Sequence, residues 1–182
     1  MSRSRTYRTT PVADAQRKAP PRKRSLAAVV GAAAAAALVG LTASQEGVSL
    51  TPYNDRLAHD VQTVCFGDTT VAMHAYTLPE CKSMLSDRLA DYAEAVRAIT
   101  PGFDALTDGQ KVAVIDLAYN TGLANYKGSA LRAMYIKKQF PAACDQFYRW
   151  RFVAGKDCAI AANRCGGIVA RRNLERAACL GE

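Results

Sequence analysis

From Ser25 to Gln45 the chain reads SLAAVVGAAAAAALVGLTASQ, a stretch without a single charge. At 1.5 Å per residue, about 20 such residues make a helix of roughly 30 Å, the thickness of a bilayer's hydrocarbon core. Residues 50–76 change character: Thr, Val, Tyr and Phe alternate with Pro, Asn, Asp and Gly, which predicts a small antiparallel sheet with turns. Helical periodicity follows. Thr77-Leu-Pro-Glu80 forms a capping box, Leu85, Leu89, Tyr92 and Val96 recur at helical spacing, and Pro101 marks the end. Thr107-Asp-Gly-Gln110 is a second capping box, opening a largely buried helix that ends near Gly122. Ser129 opens a further helix that stops before Pro141. Pro141 suits the first turn of the next, which carries Phe147 and Trp150 as core residues, and a last helix spans about Ile168 to Cys179. The order predicts an α+β fold with segregated elements: a hydrophobic N-terminal helix, a small antiparallel sheet, then a mainly helical lobe.

Charge divides the chain differently. Residues 1–24 carry eight basic side chains against one acid, Asp14, a net +7. The remaining 158 residues carry 16 basic and 15 acidic side chains, a net +1. The basic character therefore belongs to a short tail rich in Arg, Pro, Ser and Thr, which is expected to be disordered. The body has no basic stripe, which argues against nucleic acid as a partner. Placed before an apolar segment, the basic cluster would stay cytoplasmic, with the body across the inner membrane. Three regions are expected: the tail at 1–24, a membrane segment at 25–45 and a catalytic domain at 46–182.

The apolar segment is weak. Nine of the twenty residues from Ser25 to Ser44 are Ala and two are Gly, leaving Leu26, Val29, Val30, Leu38, Val39 and Leu41. Six such residues supply roughly −2 to −4 kcal/mol on the insertion scale. A cleaved signal peptide fits the basic start and the small residues at 42–44. A permanent anchor fits the length. A releasable anchor fits both the length and the marginal hydrophobicity. An alanine-rich helix buried in the core fits the charged flank less well.

All six cysteines (65, 81, 144, 158, 165 and 179) lie beyond this segment. An even count in an exported chain implies disulfides. Of fifteen possible pairings, Cys65–Cys81, Cys158–Cys165 and Cys144–Cys179 are favoured because the first two close short loops. There is no CxxC pair, and His59 and His74, expected at the surface, lie far from the later cysteines, so metal-ligand spacing is absent.

The candidate chemistry lies just past the apolar segment. Glu46 and Asp55 flank GVSLTPYN, and Thr63 follows in DVQTVCFGDT. Glycoside hydrolysis needs such a carboxyl pair, one to protonate the leaving oxygen and one to handle water or the cation-like transition state. Glu-x8-Asp, then Thr, then Cys-aromatic-Gly-x-Thr resembles the phage-type lysozymes of glycoside hydrolase family 24. The stretches QKVAVIDLAYNTG and GGIVARRNLERAACL are similar to two later motifs of that family, so the resemblance runs from about Glu46 to Leu180. The basic, alanine-rich N-terminus resembles the signal-anchor-release subgroup of endolysins.

That resemblance implies a lysozyme-like fold and cleavage, with inversion, of the β-1,4 bond between N-acetylmuramic acid and N-acetylglucosamine in peptidoglycan. It implies Glu46 as general acid, Asp55 as the carboxylate offsetting positive charge, Thr63 as the hydroxyl positioning water, and no cofactor or metal. Between Asp55 and Thr63 stand seven residues, Arg56 to Gln62, where the family usually has five, often with a Gly. The hairpin is therefore longer or shaped differently, and Thr69 and Asp60 are the alternatives to Thr63 and Asp55. Arg171, Arg172 and Glu175 read as a structural ion-pair face and Asn120 as tying down a helix end. While residues 25–44 sit in lipid, the helix carrying Glu46 cannot pack on the body; release would let it fold back. That segment has no cysteine, so depolarisation, through a phage holin by analogy, is the expected trigger rather than thiol exchange. The rival expectations are a tethered, non-catalytic wall-binding protein and a lytic transglycosylase.

Overall fold

The computed structural model describes residues 23–55 and 60–182. His59 and most of the basic tail lie outside the described residues. The two tail residues that are described, Lys23 and Arg24, pair with Asp91 and Glu94 at 2.7 and 3.2 Å.

The alanine-rich segment forms two helices, α1 (Leu26–Val30) and α2 (Ala32–Gln45), broken at Gly31. Gly31 adopts φ +95° and ψ 156°, a conformation essentially restricted to glycine. The break turns one long apolar stretch into two short rods. No helix among the described residues is long and apolar enough to cross a membrane. Leu26, Val29, Val30, Ala34, Leu38 and Thr42 are buried, and the first five belong to the main hydrophobic core. Ala32, Ala33, Ala36, Ala37 and Gly40 form the exposed face. In this folded form the segment is thus partly a core helix, the arrangement its charged flank argued against. Small side chains make it workable, since an alanine face costs little in water.

The hairpin pairs β1 (Ser49–Asp55) with β2 (Val61–Cys65) antiparallel, with Tyr53 opposite Thr63 and Asp55 opposite Val61. The register shifts between Ser49 and Tyr53. Both capping boxes form as expected. Thr77 and Glu80 open α3 (Leu78–Ile99), and Thr107 and Gln110 open α4 (Asp108–Thr121), which ends at Gly122. Residues 112–118 of α4 are all buried, which makes it the central helix.

Two short helices, α5 (Leu123–Lys127) and α6 (Ala130–Ile136), follow, the latter capped by Ser129. Pro141 precedes α7 (Ala142–Asp145), which continues as a 3-10 turn to Trp150. Phe147 is in the core, while Trp150 is partly buried against it. A small hairpin, β3 (Phe152–Val153) with β4 (Lys156–Asp157), leads to α8 (Gly166–Leu180). Helix α8 lies against α4 closely enough that a Cβ at Gly109 would overlap the Ala178 carbonyl, which explains a glycine inside the second capping box.

Three disulfides join Cys65 to Cys81, Cys144 to Cys179 and Cys158 to Cys165, the favoured set. The first fastens the hairpin to α3. On the chain-entropy model its 16-residue separation contributes about 3 kcal/mol.

Gly31→Ala forces an L-residue into a glycine-only conformation, at a cost of about 1–3 kcal/mol. The variant is expected to melt several degrees lower by circular dichroism, and an unchanged Tm would contradict the bend assigned to Gly31.

Candidate active site

Glu46 is the first residue past α2, and its N–H donates to the Thr42 carbonyl at 3.1 Å, so the helix end fixes its backbone. Asp55 ends β1. The two carboxylates line one open cleft of about 530 Å³, walled also by Val48, Ser49, Tyr53 and Phe66. Glu46 also borders a second hollow of about 420 Å³, lined by Asn120, Arg164, Ile168 and Arg171. Glu46 therefore borders both hollows.

The other expected residues fall elsewhere. Thr63 is buried opposite Tyr53, its hydroxyl donates to the Val61 carbonyl at 3.0 Å, and it is not among the residues lining the cleft. Thr69 lines a different cleft, beside Asp68 and Arg88. Asp60 is exposed in the hairpin loop, with its N–H on the Asp55 carbonyl. His74 is exposed.

The hairpin roof is held from α3. Arg88 donates to the Phe66 carbonyl at 3.1 Å and pairs with Asp68 at 2.9 Å. Burial pushes the Asp68 carboxyl above its ordinary value, although Arg88 pulls it down.

Beneath Glu46 lies a buried polar cluster. Arg171 on α8 donates through Nη1 to Glu46 Oε1 at 2.7 Å, and through Nε and Nη2 to both oxygens of Asp116 at 2.8 Å. The Glu46 side chain is 29% exposed, whereas those of Arg171 and Asp116 are 4% and 0% exposed. Burial works against the Arg171 charge, but Asp116 and Glu46 outweigh it and hold the guanidinium firmly protonated. Asp116 also accepts from the Thr42 hydroxyl at 2.7 Å. Arg172 donates to Asn120 Oδ1 at 2.7 Å and approaches Glu175 at 3.1 Å.

The ion-pair face read from the sequence is thus interior rather than superficial, and it reaches the candidate acid. Asp116 was missed. The signal for it was an acid inside VAVIDLA, on a helix expected to be buried, where an ionised carboxylate requires a partner.

A hairpin closing a carboxylate-lined cleft over a helical lobe is the lysozyme-like architecture. Residues 43–175 match the phage lysozyme family model, and the chain belongs to that family. A relative described as a SAR-endolysin of Enterobacteria phage P21 is 35% identical over 168 residues, covering 87% of this chain and 94% of the relative. Among solved structures, a mutant of P22 lysozyme superimposes with TM-score 0.65 at 24% identity, over 79% of this chain and 95% of that one. The muramidase domain of SpmX from Asticcacaulis excentricus gives TM-score 0.65 at 20% identity, over 79% of this chain and 95% of that one.

Burial pushes the Glu175 carboxyl well above its ordinary value of 4.5; Arg172 opposes this and Asp116 adds to it. The folded chain then keeps a proton that the unfolded chain has released, so stability falls as pH rises above the ordinary glutamate range. Glu175→Gln should flatten this dependence in denaturant melts between pH 4 and pH 8. Parallel curves for variant and wild type would show that Glu175 does not carry it.

Proposed function

We propose that this protein is an endolysin that hydrolyses the β-1,4 bond between N-acetylmuramic acid and N-acetylglucosamine in bacterial peptidoglycan and so lyses the host cell. The observation that carries the reading is Glu46 and Asp55 on opposite elements lining one cleft, in a chain of the phage lysozyme family. Glu46 is assigned as the general acid that protonates the glycosidic oxygen. Asp55 is assigned to the water and to the positive charge developing on the sugar ring. Thr63, expected as the hydroxyl behind the water, is buried outside this cleft with its hydroxyl on the Val61 carbonyl, so the reading rests on the two carboxylates without it. The two later motifs supply the floor of the site rather than reacting groups.

The same reading places residues 25–44 first in the host inner membrane, with the body in the periplasm, and later on the body. Insertion gains roughly 2–4 kcal/mol. Burying Leu26, Val29, Val30 and Leu38 in the core gains about 1.5–3 kcal/mol each, so the packed position competes with lipid. A segment held in the bilayer cannot place Thr42 or Glu46 against α4 and α8, which keeps the tethered enzyme inactive. Loss of membrane potential, by way of a phage holin, is the assigned trigger for release.

Digestion of purified peptidoglycan followed by mass spectrometry of the muropeptides is expected to give reducing ends, and Glu46→Gln to lower the rate by at least about a hundredfold with folding intact. Anhydro-sugar ends would assign a transglycosylase, and full activity of the variant would remove Glu46 from its role. For the tether, Ala33→Leu, Ala36→Leu and Ala37→Leu alter the exposed face of α2 and add roughly 1–2 kcal/mol to insertion. Lysis of cells by this triple variant should be delayed or lost; lysis at the normal time would contradict the release step.

A further inference from the structure

Thr42 is the polar member of a buried stripe. Along α2 the buried positions are Ala34, Leu38 and Thr42, one per turn, and the first two are core residues. A threonine inside a helix usually turns its hydroxyl back to the carbonyl of the preceding turn. Here the hydroxyl leaves its own helix and donates to Asp116 Oδ1 on α4 at 2.7 Å. That oxygen also receives Arg171 Nη2 at 2.8 Å, while Oδ2 receives Nε at 2.8 Å. The remaining arm of the same guanidinium reaches Glu46 Oε1 at 2.7 Å. The Glu46 N–H returns to the Thr42 carbonyl at 3.1 Å.

These bonds close a ring: Thr42 to Asp116 to Arg171 to Glu46 and back to Thr42. Three helices meet in it, and Thr42 enters it twice, by its hydroxyl and by its carbonyl. A lone contact between an arginine and a half-exposed glutamate leaves both long side chains free to rotate apart. In the ring, Arg171 is held by two buried bonds to Asp116, so the Glu46 carboxylate has a partner fixed in place. The ring also exists only when α2 is seated on the body, since two of its groups belong to α2.

We infer that Thr42 and Asp116 are positioning residues, which orient Arg171 and through it aim the Glu46 carboxyl, so that seating of α2 is read out at the acid by one hydroxyl. This rests on the assignment of Glu46 as general acid. Neither Thr42 nor Asp116 lines the cleft beside Asp55, and neither is given a bond-making part.

The experiment uses the full chain, purified and acting on soluble peptidoglycan fragments, with kcat and KM measured separately and folding followed by thermal melts. Thr42→Val keeps the shape and removes the hydroxyl. It is expected to lower kcat about tenfold with KM within about twofold, because a reacting group out of place affects turnover rather than binding. Thr42→Ser, which keeps the hydroxyl, is expected to restore kcat to within about twofold. Asp116→Asn, which keeps the shape but weakens the hold on Arg171, should lower kcat in the same way.

A wild-type kcat in Thr42→Val overturns the inference. So does a loss that only tracks the fraction of unfolded protein, or a loss that Thr42→Ser fails to repair. Glu46→Gln is measured in parallel. An inactive Glu46→Gln beside a fully active Thr42→Val overturns the positioning role alone. A fully active Glu46→Gln overturns the assignment of the acid, and the positioning role with it.

Discussion

A guanidinium taken out of water must be compensated by its neighbours, and Arg171 is held by two carboxylates, one on α4 and one just past the end of α2. Asp116 takes it through two parallel bonds and Glu46 through a third. Removing such a charge from water costs several kcal/mol unless good geometry compensates it. The surrounding helices are thereby locked into one arrangement: α8 supplies the cation, α4 the buried anion, and the end of α2 the half-exposed one. The cleft inherits its edge from this arrangement. Glu46 can face Asp55 across the hollow only while its own helix lies where Arg171 and Asp116 hold it.

The proposed release gives the segment that ends in Glu46 two environments to suit. Its strongly apolar residues are few and fall on one side of the folded helices, where the core takes them. Its other side is alanine and glycine, tolerable in water and only weakly attractive to lipid. Gly31 lets the stretch bend into two rods on the body, whereas a continuous rod suits a bilayer. More leucine would improve one state at the expense of the other. On the proposed release from the membrane, the low hydrophobicity is a balance between two positions of one segment, not a poor version of either.

Much of this architecture is legible in the residues because it is locally encoded. Both capping boxes, the glycine stop of α4, the Ser129 cap and the proline before α7 are side-chain solutions to unsatisfied helix ends, and they act over a few residues. The carboxylates of the cleft were legible through their spacing. What could not be read is set by distant partners. The bend at Gly31 depends on what α1 and α2 pack against. The short α5 and the β3–β4 hairpin carry too few residues for any periodicity to declare them. Thr42 looks unremarkable until α2 is laid beside α4, and the partners that Asp116 needs are named only by the fold, because these bonds span 74 and 55 positions of sequence. Thr63 shows the converse. Its place in a strand was readable, yet whether its hydroxyl faces the cleft or its own backbone is decided by hairpin geometry that spacing does not encode.

The central claim is that residues 32–45 are a structural part of the working enzyme, docked on α4 and α8. Amide hydrogen exchange on the lipid-free full chain tests it most directly. The account predicts that amides in the interior of α2 are protected as strongly as those of α4, and that both regions lose protection together in denaturant. Rapid exchange across 32–45 in a chain whose α4 stays protected and whose muramidase activity is intact would contradict it.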